Sequence, residues 1–187
     1  PAAKAGKRVV RLHTGDPSVY GAHREQMDAL KAAGVPFAVC PGVSSFFGAA
    51  ASLGAEYTLP GVSQTVILTR AAGRTPVPEK ERLSALAAHG ASMVLFLSAG
   101  RAAEAVSELL AGGYYTRETP AAVVYKATWP DERILRTTLG ELAKDAEAAG
   151  ITKTALLLIG DFLGAAYENS KLYDPSFTTE FREGKQA

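Results

Sequence analysis

Short apolar runs alternate with amphipathic stretches along the first third of the chain. Runs of β-prone residues predict strands, and stretches with apolar residues three or four positions apart that end at glycine predict helices. Four elements follow in this order: a strand at 7–13 (KRVVRLH), a helix at 22–33 (AHREQMDALKAA), a strand at 37–40 (FAVC) and a helix within SSFFGAAASLG at 44–54, with Ser44 or Ser45 as its N-cap. This order is typical of a parallel sheet with crossover helices.

A second set of elements follows residues 55–64, where Pro60 and Gly61 predict an inter-domain linker. The expected strands are TVILTRA at 65–71, MVLFLS at 93–98, AAVVYKA at 121–127, RILRTTL at 133–139 and TALLLIG at 154–160, with helices around 79–88, 102–111 and 140–149. These elements predict a complete C-terminal α/β domain at 61–187. Two strands at 1–60 are too few for a stable sheet, so we expect residues 1–60 either to use strands of the second half or to lack upstream sequence.

Charge and cysteine content narrow the classes of partner. The chain has 20 basic and 19 acidic side chains, and its formal net charge of +1 gives no general attraction to nucleic acid or to a membrane surface. The one cysteine, Cys40, excludes an internal disulfide and fits a reducing cytoplasm. No apolar run approaches the roughly 18 residues of a membrane span. We therefore expect a cytoplasmic protein without a nucleic-acid or membrane partner.

Several familiar chemical signatures are missing from the sequence. It contains neither of the glycine-rich phosphate fingerprints GxGxxG and GxxxxGK[ST], and no GxSxG surrounds a serine. The three histidines lie on different elements without metal-ligand spacing, so no metal site is expected. Basic side chains near predicted strand ends can meet an acidic substrate, although a solvated surface role is more common for any one of them: Arg11, Arg24, Arg70, Arg74, Arg101 and Lys126.

Two breaks between a predicted strand and a predicted helix are candidates for a binding site. Thr14-Gly15-Asp16-Pro17 follows the first strand, and the loop at 41–45 (PGVSS) follows the second. Ligands of open α/β sheets gather where strands end and helices begin, because main-chain groups are unpaired there. Gly15 would let a ligand approach the backbone, and Asp16 would offer a carboxylate to a hydroxyl or ammonium group. The alternative is that the first break is only a turn and the second only a helix cap.

The combination of segments resembles a known family. RLHTGDPSVYG, PGVSSFFGAAASLG, TVILTRA, MVLFLSAG and ALLLIGDFL, in that order, are similar to the cobalamin and sirohaem tetrapyrrole methylases. Within that family, SKLYDPSFTTEFR and LPGVSQTVILTRAAGRTPVPEKERL are most like the members that methylate C11 of precorrin-4 or cobalt-precorrin-4. The resemblance implies a methyltransferase of cobalamin biosynthesis that is a homodimer. It also implies S-adenosylmethionine as the methyl donor and S-adenosylhomocysteine as the product, with the donor folded into the cleft between two domains.

The resemblance also implies a fold and a set of donor contacts. The fold would be a partial N-terminal parallel-sheet α/β domain at 1–60 and a complete C-terminal mixed-sheet α/β domain at 61–187. The implied donor contacts, with Val19 against the adenosyl group, are Thr14, Gly15, Asp16, Val19, Ser44, Ser45, Leu97, Ser98, Ala127, Thr154 and Ala155. No catalytic side chain is assigned.

One departure from the family pattern bears on the extent of the chain. Family members begin with a strand and a GxGPGDP loop that have no counterpart here, and the first strand of this chain resembles their fourth. We therefore expect about the first third of a full-length member to be absent. Two alternatives stay open: a tetrapyrrole methylase that acts on another ring carbon or on uroporphyrinogen III, and a truncated, non-catalytic binding or dimerisation domain.

Overall fold

The computed structural model describes residues 1–164, 166–170 and 173–184 of the chain. The chain divides into two compact units, Pro1–Gly48 (unit one) and Ala49–Ala187 (unit two). The domain boundary that we predict after residue 60 stays a prediction. Lys171 and Leu172, which belong to the segment SKLYDPSFTTEFR, lie outside the described residues.

The two helices predicted in the first third of the chain are confirmed. Helix α1 spans His23–Ala32 and helix α2 spans Ser45–Leu53, so the division between the two units falls within α2. A glycine in the left-handed region follows the end of each helix, Gly34 with φ +66° and Gly54 with φ +59°. Glycine adopts this conformation without steric cost, which is why it ends both helices where the sequence predicts.

The two strands predicted in unit one are wrong for this structure. Residues 1–48, all of which are described, contain no assigned strand, and the apolar side chains of the expected strand at 7–13 are largely exposed: Val9 60%, Val10 72% and Leu12 84%. The segment 37–40 is also without a strand and exposed. Two isolated strands cannot satisfy their outer main-chain groups or bury both faces, so sequence propensity alone does not form a sheet here.

Unit two contains the five-stranded mixed sheet that we predict. Its strands are β1 Val66–Thr69, β2 Ser92–Leu95, β3 Pro120–Tyr125, β4 Arg133–Thr138 and β5 Ala155–Ile159, and its helices are α3 Leu83–Ala87, α4 Ala102–Ala111 and α5 Leu142–Ala148. The strand order is β1-β2-β5-β3-β4. The β1–β2 pair is parallel, and the other three pairs are antiparallel. None of the helices in the described part of the chain combines the length and apolar character needed to cross a bilayer.

Alternate residues of the central strands bury opposite faces of the sheet. Met93, Leu95, Leu157 and Ile159 belong to the main core cluster, which also contains buried residues of α3, α4 and α5. Residues that alternate with them, such as Val94, are buried as well. Burying one such side chain contributes about 1.5–3 kcal/mol to folding. The central strands, which are buried on both faces, therefore hold the loops at their ends in fixed positions.

The strand directions bring several loops to one edge of the sheet. β5 runs antiparallel to its neighbours β2 and β3, with Leu95 opposite Leu157 and Tyr125 opposite Ala155. The carboxyl ends of β1, β2 and β3 therefore lie at the same edge as the amino ends of β4 and β5. We refer to this as the carboxyl edge.

Candidate functional site

Asp16 joins the two glycine-containing breaks of unit one. One carboxylate oxygen, Oδ2, accepts a hydrogen bond of 2.7 Å from the Gly42 amide. The other, Oδ1, accepts one of 2.8 Å from the Ser18 amide and another from the Ser18 hydroxyl. The bonds from the Ser18 hydroxyl and then from the Gly42 amide lower the pKa of Asp16 to about 2. The carboxylate that we expect to be offered to a ligand is thus engaged by the chain itself and connects its two loops.

The loops that Asp16 connects are also in direct contact. Gly15 has a φ of +63°, and a Cβ atom placed on it would lie 3.4 Å from the Ser44 Cα atom and 3.6 Å from the Ser45 nitrogen. A Cβ atom on Gly42 would overlap the Gly15 carbonyl oxygen. The structure therefore brings together the two breaks singled out in the sequence, and glycine is required at 42 because the backbones meet there.

The remaining predicted residues of unit one differ in accessibility. Thr14, Gly15 and Ser45 are exposed, Val19 is half-buried, and Ser44 is buried directly before the first residue of α2. The first amides of a helix have no partner within the helix, so the start of α2 beside Gly15 provides main-chain donors. This group of loops can hold a polar ligand mainly through main-chain atoms.

The predicted site residues of unit two all lie at the carboxyl edge. Leu97 and Ser98 follow β2, Ala127 follows β3, Thr154 directly precedes β5, and Ala155 is the first residue of β5. Leu97 is 75% exposed, which is unusual for a leucine, whereas Ser98 is fully buried. The Ser98 hydroxyl accepts a hydrogen bond of 2.8 Å from the Ala71 amide and donates one of 2.7 Å to the Phe96 carbonyl. Ser98 therefore anchors the loop that displays Leu97.

Backbone strain is concentrated at the carboxyl edge. Leu97, Lys126, Thr128 and Thr154 have φ values of +55°, +49°, +69° and +56°. Left-handed geometry costs a residue other than glycine roughly 1–2 kcal/mol, and such strain gathers at functional sites. The Lys126 amide donates a hydrogen bond of 2.9 Å to the Thr154 carbonyl, so two of these residues are tied together. Lys126 and Thr128 are absent from the set of donor contacts that the resemblance implies.

The loop at 126–132 is held by charged side chains. Glu132 accepts hydrogen bonds from the Ser52 hydroxyl at 2.7 Å and from the Thr128 amide at 2.6 Å, which lower its pKa. Lys126 donates a hydrogen bond to Asp131, which raises the pKa of the lysine, and its ammonium group lies 5.3 Å from the centre of the Trp129 ring. Ala127, between these contacts, is therefore held in a defined position at the edge.

The described ranges contain no group of three or more histidine, cysteine, aspartate or glutamate side chains able to hold a metal ion. What the two groups of residues offer is exposed main chain near Gly15 and an exposed apolar side chain at Leu97. Within unit one the exposed residues suit polar contacts, and within unit two the exposed Leu97 side chain suits an apolar contact.

The chain is similar to known sequences over almost its whole length. Residues 1–143 match the family model described as Tetrapyrrole (Corrin/Porphyrin) Methylases. Cobalt-precorrin-4 C(11)-methyltransferase of Methanocaldococcus jannaschii is 53% identical over 97% of this chain and 70% of the relative. The enzyme of the same name from Priestia megaterium is 50% identical over 97% and 71%. Precorrin-4 C(11)-methyltransferase of Pseudomonas aeruginosa is 42% identical over 98% and 73%.

Solved structures agree with the sequence relatives. The X-ray structure of a cobalamin biosynthetic enzyme, cobalt precorrin-4 methyltransferase, matches with a TM-score of 0.84 and 51% identity over 87% of this chain and 67% of that one. Uroporphyrin-III C-methyl transferase from Thermus thermophilus, complexed with S-adenosylhomocysteine, matches with a TM-score of 0.69 and 27% identity over 87% and 67%. The family resemblance and the α/β fold predicted from the sequence are thereby confirmed, and the chain belongs to the tetrapyrrole (corrin/porphyrin) methylases.

Proposed function

We propose that this chain is an S-adenosylmethionine-dependent methyltransferase of cobalamin biosynthesis that methylates C11 of precorrin-4 or cobalt-precorrin-4. The observation that carries the proposal is 42–53% identity, over 97–98% of the chain, to three enzymes with this named activity. The solved cobalt precorrin-4 methyltransferase supports it at the level of the fold. Relatives of both kinds match the chain, so the proposal covers the cobalt-containing and the metal-free substrate.

The residues of unit one fit the polar part of the donor. S-Adenosylmethionine, when bound, supplies a methyl group on a sulfonium, and it also carries a nucleoside and an amino-acid group. Thr14, Gly15 and Ser45 are exposed, and Gly15 lies beside the start of α2. We assign the donor contacts of this unit to them and to Asp16, Val19 and Ser44. Asp16 acts by fixing the loops, since both of its carboxylate oxygens already accept hydrogen bonds from the chain.

The residues of unit two that the sequence singles out are small or apolar. Leu97 exposes its side chain at the carboxyl edge, and Ala127 and Ala155 are small, half-buried residues at the same edge. We assign the contacts of this unit to these three residues, to Thr154 and to the main chain of Ser98, whose hydroxyl is already bonded within the protein.

The protein contributes to methyl transfer mainly by positioning the donor and the substrate. A methyl group on a sulfonium is already electrophilic, so no nucleophilic side chain is required. The chain has to hold the methyl group in line with the ring carbon and keep water away. The Asp16 connection between the loops and the Ser98 anchor under Leu97 both serve that purpose, because each fixes a loop before any ligand arrives.

We further propose that the enzyme works in the cytoplasm as a homodimer. The single cysteine, which precludes an internal disulfide, supports a reducing compartment. The dimer is implied by the family resemblance.

A methyl-transfer assay tests the proposed activity. The purified protein is incubated with methyl-labelled S-adenosylmethionine and, separately, with precorrin-4, cobalt-precorrin-4 and uroporphyrinogen III. We expect one added methyl group on precorrin-4 or its cobalt form, located at C11 by NMR, and none on uroporphyrinogen III. Labelling of uroporphyrinogen III alone would replace the proposal with a different methylase activity. Binding of S-adenosylhomocysteine without transfer to any of the three would favour a binding domain.

A further inference from the structure

Of the six basic side chains singled out from the sequence, three are committed to partners within the protein. The Arg24 side chain bonds to Asp28 at 3.0 Å, and Lys126 is paired with Asp131. Arg70 donates three hydrogen bonds to carbonyl groups of its own loop. Of the six, the two that remain in unit two are Arg74 and Arg101, and these are available to a ligand.

Arg70 fixes the loop that carries Arg74. Its guanidinium donates to the carbonyls of Ala71 at 3.2 Å, Thr75 at 3.1 Å and Pro76 at 2.8 Å. The Ala71 amide donates a hydrogen bond to the buried Ser98 hydroxyl. The loop at 70–76 is therefore fastened from within, and Arg74 lies near its tip.

Arg101 lies next to the same loop. A Cβ atom placed on Gly73 would be 3.9 Å from an Arg101 guanidinium nitrogen, Nη1. The Arg101 amide donates to the Ser98 carbonyl at 2.9 Å, so the residue is attached to the loop that displays Leu97. Its ion pair with Glu104 has an N–O separation of 3.7 Å and is exposed, so that pair is weak. Within the described residues Arg74 makes no ion pair or side-chain hydrogen bond.

We propose that Arg74 and Arg101 bind carboxylate groups on the periphery of the tetrapyrrole, and so fix how the macrocycle lies against the carboxyl edge. The inference rests on the proposed function for the identity of the substrate, whose acetate and propionate side chains are carboxylates. A guanidinium group presents paired N–H donors that match a carboxylate, and two of them beside one rigid loop recognise two such groups. The methyl donor is bound by other residues, so the two arginines act on substrate affinity alone.

Binding of a stable tetrapyrrole polycarboxylate tests the inference without turnover. Uroporphyrin III is titrated into the purified protein, and quenching of Trp129, the single tryptophan of the chain, reports binding. We expect Arg74→Gln and Arg101→Gln each to weaken binding about tenfold and the double variant about a hundredfold, as expected for lost charge-assisted hydrogen bonds. The affinity for S-adenosylhomocysteine should stay unchanged. Arg82→Gln is the matched control, since Arg82 is exposed and paired only with Glu79 in the described structure.

A variant that should bind uroporphyrin III more tightly provides a second test. Glu104→Gln removes the carboxylate that competes for Arg101 and should tighten uroporphyrin III binding. In the methyl-transfer assay the arginine variants should raise KM for the tetrapyrrole with kcat unchanged.

The inference is overturned if the wild-type protein does not bind uroporphyrin III, or if the double variant binds it as tightly as the wild type does. Arginine-dependent binding together with no methylation of precorrin-4 would contradict the proposed function and leave the inference standing. Methylation of precorrin-4 that is insensitive to both arginines would do the reverse.

Discussion

The Gly42 amide donates a 2.7 Å hydrogen bond to the Asp16 carboxylate across 26 positions of sequence. The same carboxylate accepts the Ser18 amide at 2.8 Å, and the backbones of Gly15 and Gly42 meet beside it. A single side chain thus holds the loops that precede α1 and α2 in one place. Because main-chain groups bind ligands only when they are fixed, this connection is central to the proposed donor site.

Removal of the Asp16 carboxylate should loosen both loops. Asp16→Ala deletes the acceptor for the Gly42 and Ser18 amides, so we expect faster hydrogen exchange at both amides and weaker binding of S-adenosylhomocysteine. Asp16→Asn keeps one acceptor oxygen and should give a smaller effect. Asp28→Ala, which removes only an exposed partner of Arg24, is the control. Unchanged exchange at Gly42 in the alanine variant would contradict the connection.

The Asp16 connection should also have a defined pH dependence. The pKa of this carboxyl is about 2 in the folded protein and 3.8 as an ordinary aspartate. A lowered folded pKa means that the stabilisation is fully present above about pH 3.8 and is lost as the pH falls towards 2. An NMR titration of the carboxyl carbon should give a midpoint near 2, with the protection factor of the Gly42 amide falling over the same interval. A midpoint near 3.8 would show that these hydrogen bonds do not form in solution.

Gly42 should tolerate no side chain, because a Cβ atom there overlaps the Gly15 carbonyl oxygen. Gly42→Ala has to separate the two loops, and we expect binding of S-adenosylhomocysteine to weaken at least about tenfold, equivalent to 1.4 kcal/mol. Gly34→Ala is the matched control: its φ is +66° and nothing lies within 4 Å of the added carbon. That control should lose about 1 kcal/mol of stability through backbone strain and retain its affinity for S-adenosylhomocysteine. Equal affinities for the two variants would be the contrary result.

The buried Ser98 hydroxyl should contribute to the stability of unit two. Ser98→Ala leaves the Ala71 amide without its acceptor, and a buried unsatisfied donor costs about 1–3 kcal/mol. Urea denaturation should show that loss in the free energy of unfolding. Ser107→Ala, on the exposed side of α4, should change the free energy of unfolding by less than about 0.5 kcal/mol. A Ser98 variant as stable as the Ser107 variant would rule out an anchoring role for this hydroxyl.

The predictions that the structure confirms depend on patterns local in sequence. Four of the five strands of unit two are apolar runs, and α1 ends before Gly34, so their positions follow from apolar patterning and glycine geometry. The strands expected at 7–13 and 37–40 fail because a strand also needs a partner, and apolar composition does not supply one.

The residues of the candidate site likewise divide into those that local sequence patterns predict and those that only the folded structure reveals. Gly15 and the loop at 41–45 can be found because glycine and proline interrupt the chain between two predicted elements. The left-handed conformations of Lys126 and Thr128 have no signal in sequence, since neither residue type favours that geometry. The bond from Gly42 to Asp16 joins positions 26 apart, and only the folded backbone brings them together.

Calorimetric titration with S-adenosylhomocysteine decides whether unit one contributes to binding of the methyl donor through Gly15. Gly15→Val adds a β-branched side chain at φ +63°, 3.4 Å from the Ser44 Cα atom, while thermal unfolding checks that the variant still folds. We expect saturable binding by the wild-type protein and none by the folded variant. A wild-type protein that gives no saturable heat, or a variant with unchanged affinity, would contradict it.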